Sequence, residues 1–499
     1  MIYNVKFTLL KGSAKIQFFV KDMNRSFDSQ QSIHCLIASS PHRFIASSLH
    51  RLIASSLHRF IVLSPQQFNF FRIFAVQFSD TKNIKNTNDM ERISKRVLGM
   101  PASETLAMTA LARELKDKGQ DVISLSIGEP DFNTPETVKE YAKQAIDDNF
   151  THYPPVPGYA DLLKAISHKF KRDNNLDYTT QQIVVSTGGK QSIYQTVMAL
   201  VNPGDEVIIP TPYWVSYRAI AQMAEAEIKY VPCKIENDFK ITPAQLEAAI
   251  TPKTKLMMFS SPSNPTGMIY SKEELRAIAE VVAKHPQMMI MSDEIYEHIN
   301  FVGGHESIAQ FDFIKDQVVT VNGVAKGFAM TGWRIGFIGA PVDVAKACNK
   351  LQGQITSATG SISQRAALKA MELDPKTSED IINMRNIFKM RRDLVYDLLK
   401  EIPGFEVTLP EGAFYFFPKV SSLFGKHVPA DSQFAAQYNK TVIENSTDLA
   451  FYFLLDASVS TVQGTAFGDD DCIRLSYATS EDRLKEACKR IKAAVENLK

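Results

Sequence analysis

Lys326 lies in Thr320-Val-Asn-Gly-Val-Ala-Lys-Gly-Phe-Ala-Met-Thr-Gly-Trp-Arg334, where a primary amine follows an apolar run and a guanidinium stands eight positions on. An amine and a guanidinium brought together suit an aldehyde cofactor that carries a phosphate: the amine forms a Schiff base and the guanidinium takes the phosphate. Pyridoxal phosphate is the natural candidate. By itself the segment is equally compatible with a solvated lysine in a loop.

Four other segments bear on that choice. Met288-Met-Ile-Met-Ser-Asp-Glu-Ile-Tyr-Glu297 is an apolar run that meets an acid, Asp293. A carboxylate there can keep a pyridine nitrogen protonated, or it can simply cap a helix. Tyr296, three residues on, can offer its hydroxyl to a ring oxygen. Ile183-Val-Val-Ser-Thr-Gly-Gly-Lys-Gln191 passes through Gly188 and Gly189 into an apolar-periodic stretch. Free N–H groups and the helix dipole at such a start favour a phosphate, although a glycine pair also serves a plain tight turn. Lys255-Leu-Met-Met-Phe-Ser-Ser-Pro-Ser-Asn-Pro-Thr-Gly267 puts Asn264 at the tip of a proline-fixed turn, where an Asx turn with no ligand is the plainer reading. Asp471-Cys-Ile-Arg-Leu-Ser-Tyr477 carries Arg474, which can clamp a substrate carboxylate through two parallel hydrogen bonds or form a surface ion pair.

The elements that must position these groups are legible as runs. Ile183–Ser186, Glu206–Ile209, Leu256–Ser260, Met288–Ser292 and Val318–Val321 read as buried strands, alternating with helical stretches between Glu136 and about Asp380. Repeated βα units imply an α/β fold: a mostly parallel, doubly wound sheet with helices on both faces. In such a sheet ligands gather at the carboxyl ends of the strands, where Asp293 falls. After about Ile387 a long helix runs through Lys400, followed by strands near Gly412–Phe417 and Ile473–Tyr477 and a last helix from Glu481. The expected division is an N-terminal extension at 1–89, a first segment of a small α+β domain at 90–135, a large cofactor-binding domain at 136–386, and the rest of the small domain at 387–499.

Taken together, Ser-Pro-Ser-Asn-Pro-Thr-Gly, Ser-Asp-Glu-Ile-Tyr-Glu, Asn-Gly-Val-Ala-Lys-Gly-Phe-Ala-Met-Thr-Gly-Trp-Arg-Ile-Gly and Ile-Arg-Leu-Ser-Tyr-Ala-Thr-Ser resemble the class I aminotransferases, and more narrowly the bacterial-type aspartate aminotransferases. The resemblance covers roughly Met90 to Lys499. It implies the aspartate aminotransferase-like fold (type I) of enzymes that use pyridoxal 5'-phosphate. It implies Lys326 as Schiff-base lysine and general base, Asp293 on the pyridine nitrogen, and Tyr296 and Asn264 at the ring oxygen. Gly188, Gly189, Lys190 and Arg334 would hold the phosphate, and Trp214 would lie over the ring. Gly128 and Arg474 would hold the α-carboxylate. Tyr153 would reach the phosphate of a neighbouring subunit, so the resemblance implies a homodimer with shared sites.

Where animal and enteric members of the family have serines before the lysine, this chain has Gly323, Val324 and Ala325. Lys190 instead resembles a bacterial-type lysine that meets the substrate's distal carboxylate with a serine and a threonine, matched here by Ser103 and Thr105. Lys190 as a plain phosphate ligand stays open. The implied reaction is transamination between an amino acid and a 2-oxo acid, with aspartate and 2-oxoglutarate as the expected pair. Prephenate or aromatic substrates are the alternative. An effector-binding regulator with an aminotransferase-like domain is a remote one, since residues 1–89 show no helix-turn-helix pattern.

At 499 residues and 44% hydrophobic the chain can bury a large core. A net charge of +1 argues against a general nucleic-acid or anionic-membrane binder. Five dispersed cysteines without metal-like spacing suit a reducing compartment, and the cytoplasm is expected; Cys472 reads as a packing residue. No apolar run is long enough to span a membrane. Upstream, Ile37-Ala-Ser-Ser-Pro-His-Arg-Phe44 begins a tandem repeat with a period of eight that ends at Phe60, within a stretch free of Asp and Glu. That stretch reads as lying outside the fold, with an organellar transit peptide as the alternative and Met90 as a candidate start.

Overall fold

The computed structural model describes residues 92–100 and 104–499 and two strands near the N-terminus; residues 104–107 and those two strands are described by backbone alone. The chain divides into two compact units, Met1–Arg92 and Ile93–Lys499. In the first, Ile2–Leu10 and Ser13–Lys21 pair antiparallel, with Ile2 opposite Lys21 and Leu10 opposite Ser13. The eight-residue repeat and Met90 lie outside the described residues.

Among the described residues of the second unit, a seven-stranded sheet is built from β1 (Ile183–Thr187), β2 (Glu206–Thr211), β3 (Glu227–Pro232), β4 (Thr254–Ser260), β5 (Met289–Asp293), β6 (Val318–Gly323) and β7 (Ile335–Gly339). Their order is β1-β7-β6-β5-β4-β2-β3. Every pairing is parallel except those of β7, which runs antiparallel to both β1 and β6. The five strands expected from their apolar runs are all present. The other two carry weaker signals: β3 is an edge strand with exposed Glu227, Lys229 and Tyr230, and β7 is a short run interrupted by Gly336.

Alternation along the strands explains why the sheet is covered on both faces. Ile183, Val185, Ile208, Met257, Phe259, Ile290 and Phe337 join one apolar core, while Val184, Val207, Ile209, Leu256, Met258, Met291 and Ile338 join another. Phe337 sits edge-on to Phe170 at 5.6 Å between ring centroids. Truncating such a side chain to alanine costs about 3–5 kcal/mol, through lost burial and the cavity left behind.

A third core joins the two sequence-distant parts expected to form the small domain. Met108, Ala112, Leu115, Ile123 and Leu125 pack with Phe414, Phe416, Leu454, Ile473, Leu475 and Ile491. Ile123 and Ser124 extend in parallel beside Val459 and Ser460. The expected change of domain at 386/387 falls within one continuous helix, Glu379–Lys400. Its Ile381 packs in the sheet core, and Met384 and Phe388 pack in the third core, so this helix belongs to both.

Candidate active site

The carboxyl ends of the parallel strands deliver the polar residues to one place. Gly188 follows β1, Trp214 follows β2, Asn264 follows β4, Asp293 ends β5, and Lys326 follows β6 by three residues. Because β7 is antiparallel, its first end lies at the same edge, and Arg334 immediately precedes it. Where strands diverge, the helices leave a crevice that is lined by whatever follows each strand.

A cavity of about 530 Å³ occupies that crevice, lined by Gly128, Gly189, Lys190, Trp214, Asn264, Asp293, Tyr296, Lys326, Arg334 and Arg474 among others. Of the residues singled out from the sequence, Tyr153 stands apart, 93% exposed and away from this wall. Ser103 lies outside the described residues, as does the side chain of Thr105. Thr109, on the helix Glu104–Asp117, does reach the wall.

Lys326 donates a short hydrogen bond to the Gly128 carbonyl. Burial lowers its amine to about 8, Arg474 and Arg334 push the same way, and Glu129 and Asp293 oppose them. Asp293 is pushed up to about 6 by burial, offset in part by a 2.9 Å hydrogen bond from the Tyr217 hydroxyl and a weaker one from the Ile295 amide. The Asp293 side chain is therefore a buried acid whose described partners are a phenol and an amide, with no cation bonded to it.

Arg474 is buried, donating to Asn264 Oδ1 at 3.0 Å and to the Ser126 carbonyl at 2.7 Å. Its Nε, also buried, has no hydrogen-bond partner among the described residues. The turn Ser261–Gly267 that holds Asn264 includes cis bonds before Pro262 and Pro265. At the other side, Gly188 caps the helix Gly189–Leu200 with φ of 78°, and a Cβ there would collide with the Arg334 guanidinium. The first bonds of this helix run from Gln191 and Ser192 to the Gly188 carbonyl, so the N–H groups of Gly189 and Lys190 precede them at its positive end. Arg334 itself has φ of 56°, a left-handed backbone costing of order 1–3 kcal/mol in a non-glycine residue, and it donates to the Thr331 carbonyl at 2.8 Å. The Lys190 amine lies 5.0 Å over the Trp214 ring, and burial followed by the Arg334 charge lowers its affinity for a proton.

Several residues in the wall or behind it were not singled out by sequence. Tyr217 lies three residues past Trp214, the spacing that puts both on one side of a helical turn, and that is the signal that could have found it. Tyr415, in the strand Tyr415–Phe416, places its hydroxyl 2.8 Å from that of Tyr296. Glu129 accepts from Thr331, tying the Gly128 loop to the Lys326 loop, and Trp333 Nε1 donates to Thr134 at 3.0 Å across the same seam. Cys472 packs in an apolar cluster with Phe417, Val462 and Phe467, as a structural thiol would.

The aminotransferase class I and II family matches residues 120–491. The Petunia hybrida protein named bifunctional aspartate aminotransferase and glutamate/aspartate-prephenate aminotransferase is 45% identical over 408 residues, 82% of this chain and 83% of that protein. A probable aspartate/prephenate aminotransferase of Rhizobium leguminosarum bv. phaseoli is 44% identical over 78% of this chain and 95% of its own. Among solved structures, the aspartate aminotransferase from Rhizobium meliloti superimposes with a TM-score of 0.77 at 41% identity, covering 82% of this chain and 100% of that one. The Thermus thermophilus aspartate aminotransferase with maleate gives 0.74 at 38% identity, with 81% and 100% coverage.

Proposed function

This chain belongs to the class I and II aminotransferases, and from that membership we propose its particular reaction: transfer of the amino group of aspartate to 2-oxoglutarate, with pyridoxal 5'-phosphate as cofactor. The observation that carries this reading is a buried amine, a buried acid and two guanidinium groups on the wall of one cavity.

The residues fit the cofactor. Asp293 is a buried carboxylate without a bonded cation, the partner that a protonated ring nitrogen would be. Gly188 leaves the Arg334 guanidinium room at the start of a helix, which suits a phosphate. Bound there, pyridoxal phosphate supplies an aldehyde carbon for Lys326 and a ring that withdraws electrons from the substrate's α-carbon.

The chain's own residues do the rest. Lys326, as a neutral amine above about pH 8, can take the α-proton and return it, and its bond to Gly128 keeps it beside the substrate loop. Asp293 holds a proton on the ring nitrogen. Arg474 binds the α-carboxylate with Gly128, while Asn264 and Tyr296 orient the ring oxygen, and Trp214 covers the ring. Lys190, with Ser103 and Thr105, takes the distal carboxylate, and the Gly189 and Lys190 amides with Arg334 take the phosphate. Exposed Tyr153 serves the neighbouring subunit of a homodimer.

Prephenate as an alternative amino acceptor is supported by the names of the Petunia and Rhizobium leguminosarum relatives and by the Lys190 cation, which suits any substrate with a second carboxylate. The described cysteines are all buried and free, in keeping with a reducing compartment, and the cytoplasm is the proposed one. Among the described residues no helix is long and apolar enough to cross a membrane.

Borohydride reduction of the purified protein followed by peptide mapping tests the assignment. The cofactor should be found on Lys326, and an unmodified Lys326 overturns the reading. Steady-state assays with aspartate, glutamate, phenylalanine and prephenate then rank the substrates.

A further inference from the structure

Tyr415 has no part in the reaction as derived above, yet it is fully buried and lines the same cavity. Its hydroxyl lies 2.8 Å from that of Tyr296. Its ring lies beneath Arg474, with the guanidinium carbon 4.6 Å from the ring centroid, and Phe467 approaches the same carbon at 4.9 Å. The hydroxyl also faces Gly128: a Cβ at that position would stand 2.6 Å from it, too close for contact, so any larger residue there would have to displace the Tyr415 ring. One side chain thus touches one of the two residues assigned to the ring oxygen and both residues assigned to the α-carboxylate.

We propose that Tyr415 is a positioning residue with two separable duties: its hydroxyl orients the Tyr296 phenol toward the cofactor, and its ring fixes the Arg474 guanidinium for the α-carboxylate. The proposal rests on the roles given above to Tyr296 and Arg474.

The first duty follows from counting protons. Burial holds both phenols above their ordinary range, so each keeps its proton near neutral pH. In a pair of protonated hydroxyls one donates to the other. When Tyr415 donates, the Tyr296 proton is left directed at the cavity, where a ring oxygen can accept it. Without Tyr415, the Tyr296 hydroxyl is free to rotate about its C–O bond.

The second duty follows from the guanidinium's surroundings. Its end nitrogens are fixed by Asn264 and Ser126, while its Nε has no hydrogen-bond partner, so the flat aromatic faces of Tyr415 and Phe467 supply the remaining restraint on its plane. A bidentate clamp on a carboxylate depends on that plane.

The test uses the cofactor-loaded enzyme and four variants: Tyr415→Phe, Tyr415→Leu, Tyr296→Phe and the double variant Tyr296→Phe/Tyr415→Phe. Three quantities are read: the pH midpoint of the bound cofactor's visible absorbance, the dissociation constant of maleate, and kcat with aspartate. Tyr415→Phe keeps the ring, so it should shift the absorbance midpoint in the same direction as Tyr296→Phe and lower kcat about fivefold, while leaving maleate affinity within about twofold. The double variant should match Tyr296→Phe alone, because the hydroxyl acts through Tyr296. Tyr415→Leu should in addition weaken maleate about tenfold. If that variant does not fold, Tyr415→Met, flexible enough to fill the space, takes its place.

An unmoved midpoint with unchanged kcat in Tyr415→Phe, or full additivity in the double variant, rejects the first duty. Equal maleate affinity in Tyr415→Phe and the ring-deleting variant rejects the second. Absence of cofactor absorbance from the wild-type protein would overturn the reading of the site and this proposal with it, whereas the other outcomes overturn the proposal alone.

Discussion

The Tyr217 hydroxyl donates to Asp293 Oδ2 at 2.9 Å, joining the first turn of the helix Ser216–Met223 to the carboxyl end of β5. A phenol so buried stays protonated, so this partner can only donate to the acid and brings no full charge to it. Asp293 is thereby aimed without being neutralised, and its charge stays available to a ring cation.

That arrangement has a pH signature in the cofactor-free protein. Burial raises the Asp293 carboxyl from its ordinary 3.8 to about 6. Between those values the folded chain holds a proton that the unfolded chain has lost, so stability from this group is present below about pH 4 and falls as pH rises through 6, by about 3 kcal/mol in all. Asp293→Asn should remove this dependence, and its stability relative to wild type should grow between pH 4 and 7 in denaturant titrations. Parallel curves would refute the buried charge.

Lys326→Ala should lower kcat by about four orders of magnitude while cofactor is still retained by the other wall residues. In the cofactor-free wild type, burial puts the midpoint of amine deprotonation at about 8 rather than 10.5. The rate of labelling by a small aldehyde should therefore climb through pH 8. A climb centred above 10 would mean an exposed amine.

Arg474→Lys keeps the charge but loses the planar fork, so KM should rise about tenfold or more for every amino acid tested. Steady-state kinetics check this. A rise confined to dicarboxylic substrates would move Arg474 to the distal carboxylate.

Lys190→Ala separates the two readings of that cation. If Lys190 meets the distal carboxylate, kcat/KM should fall about tenfold more for aspartate than for phenylalanine. Equal losses, with weaker cofactor retention, would assign it to the phosphate.

Behind the Asp293–Glu297 turn, Lys169 forms a buried ion pair with Glu297, and Asn174 donates to the same carboxylate at 2.8 Å. Burial works against ionisation of Glu297, but Lys169, His298 and His305 outweigh it and hold the carboxyl well below its usual range. Lys169→Met should destabilise the protein by about 3–5 kcal/mol, since it strands the carboxylate, and Lys169→Met/Glu297→Leu should recover much of that loss. Chemical denaturation of both variants checks it; an unstable double variant would mean that shape rather than charge is at stake.

Lys326, Asp293 and Asn264 were legible in the sequence because each stands at the end of an apolar strand run or within a few residues of it, and Arg334 because it stands eight positions past Lys326; both are local properties of the chain. The same runs announced five strands and a doubly wound sheet. What they could not announce was pairing. Packing of distant segments brings Arg474 to Asn264 across 210 residues, and it joins Met108 and Ile123 to Phe414 and Ile473 in one core. Tyr415 carries no motif that marks it, since an isolated tyrosine has the same composition in a core as in a site, and Tyr217 carries only its spacing from Trp214; their distances to Tyr296 and Asp293 are what distinguish them. The direction of β7, which sets Arg334 at the shared edge, and the continuity of Glu379–Lys400 between two cores were likewise decided by packing of distant segments. Local periodicity therefore determined which groups stand at strand ends, and non-local burial determined which of them meet.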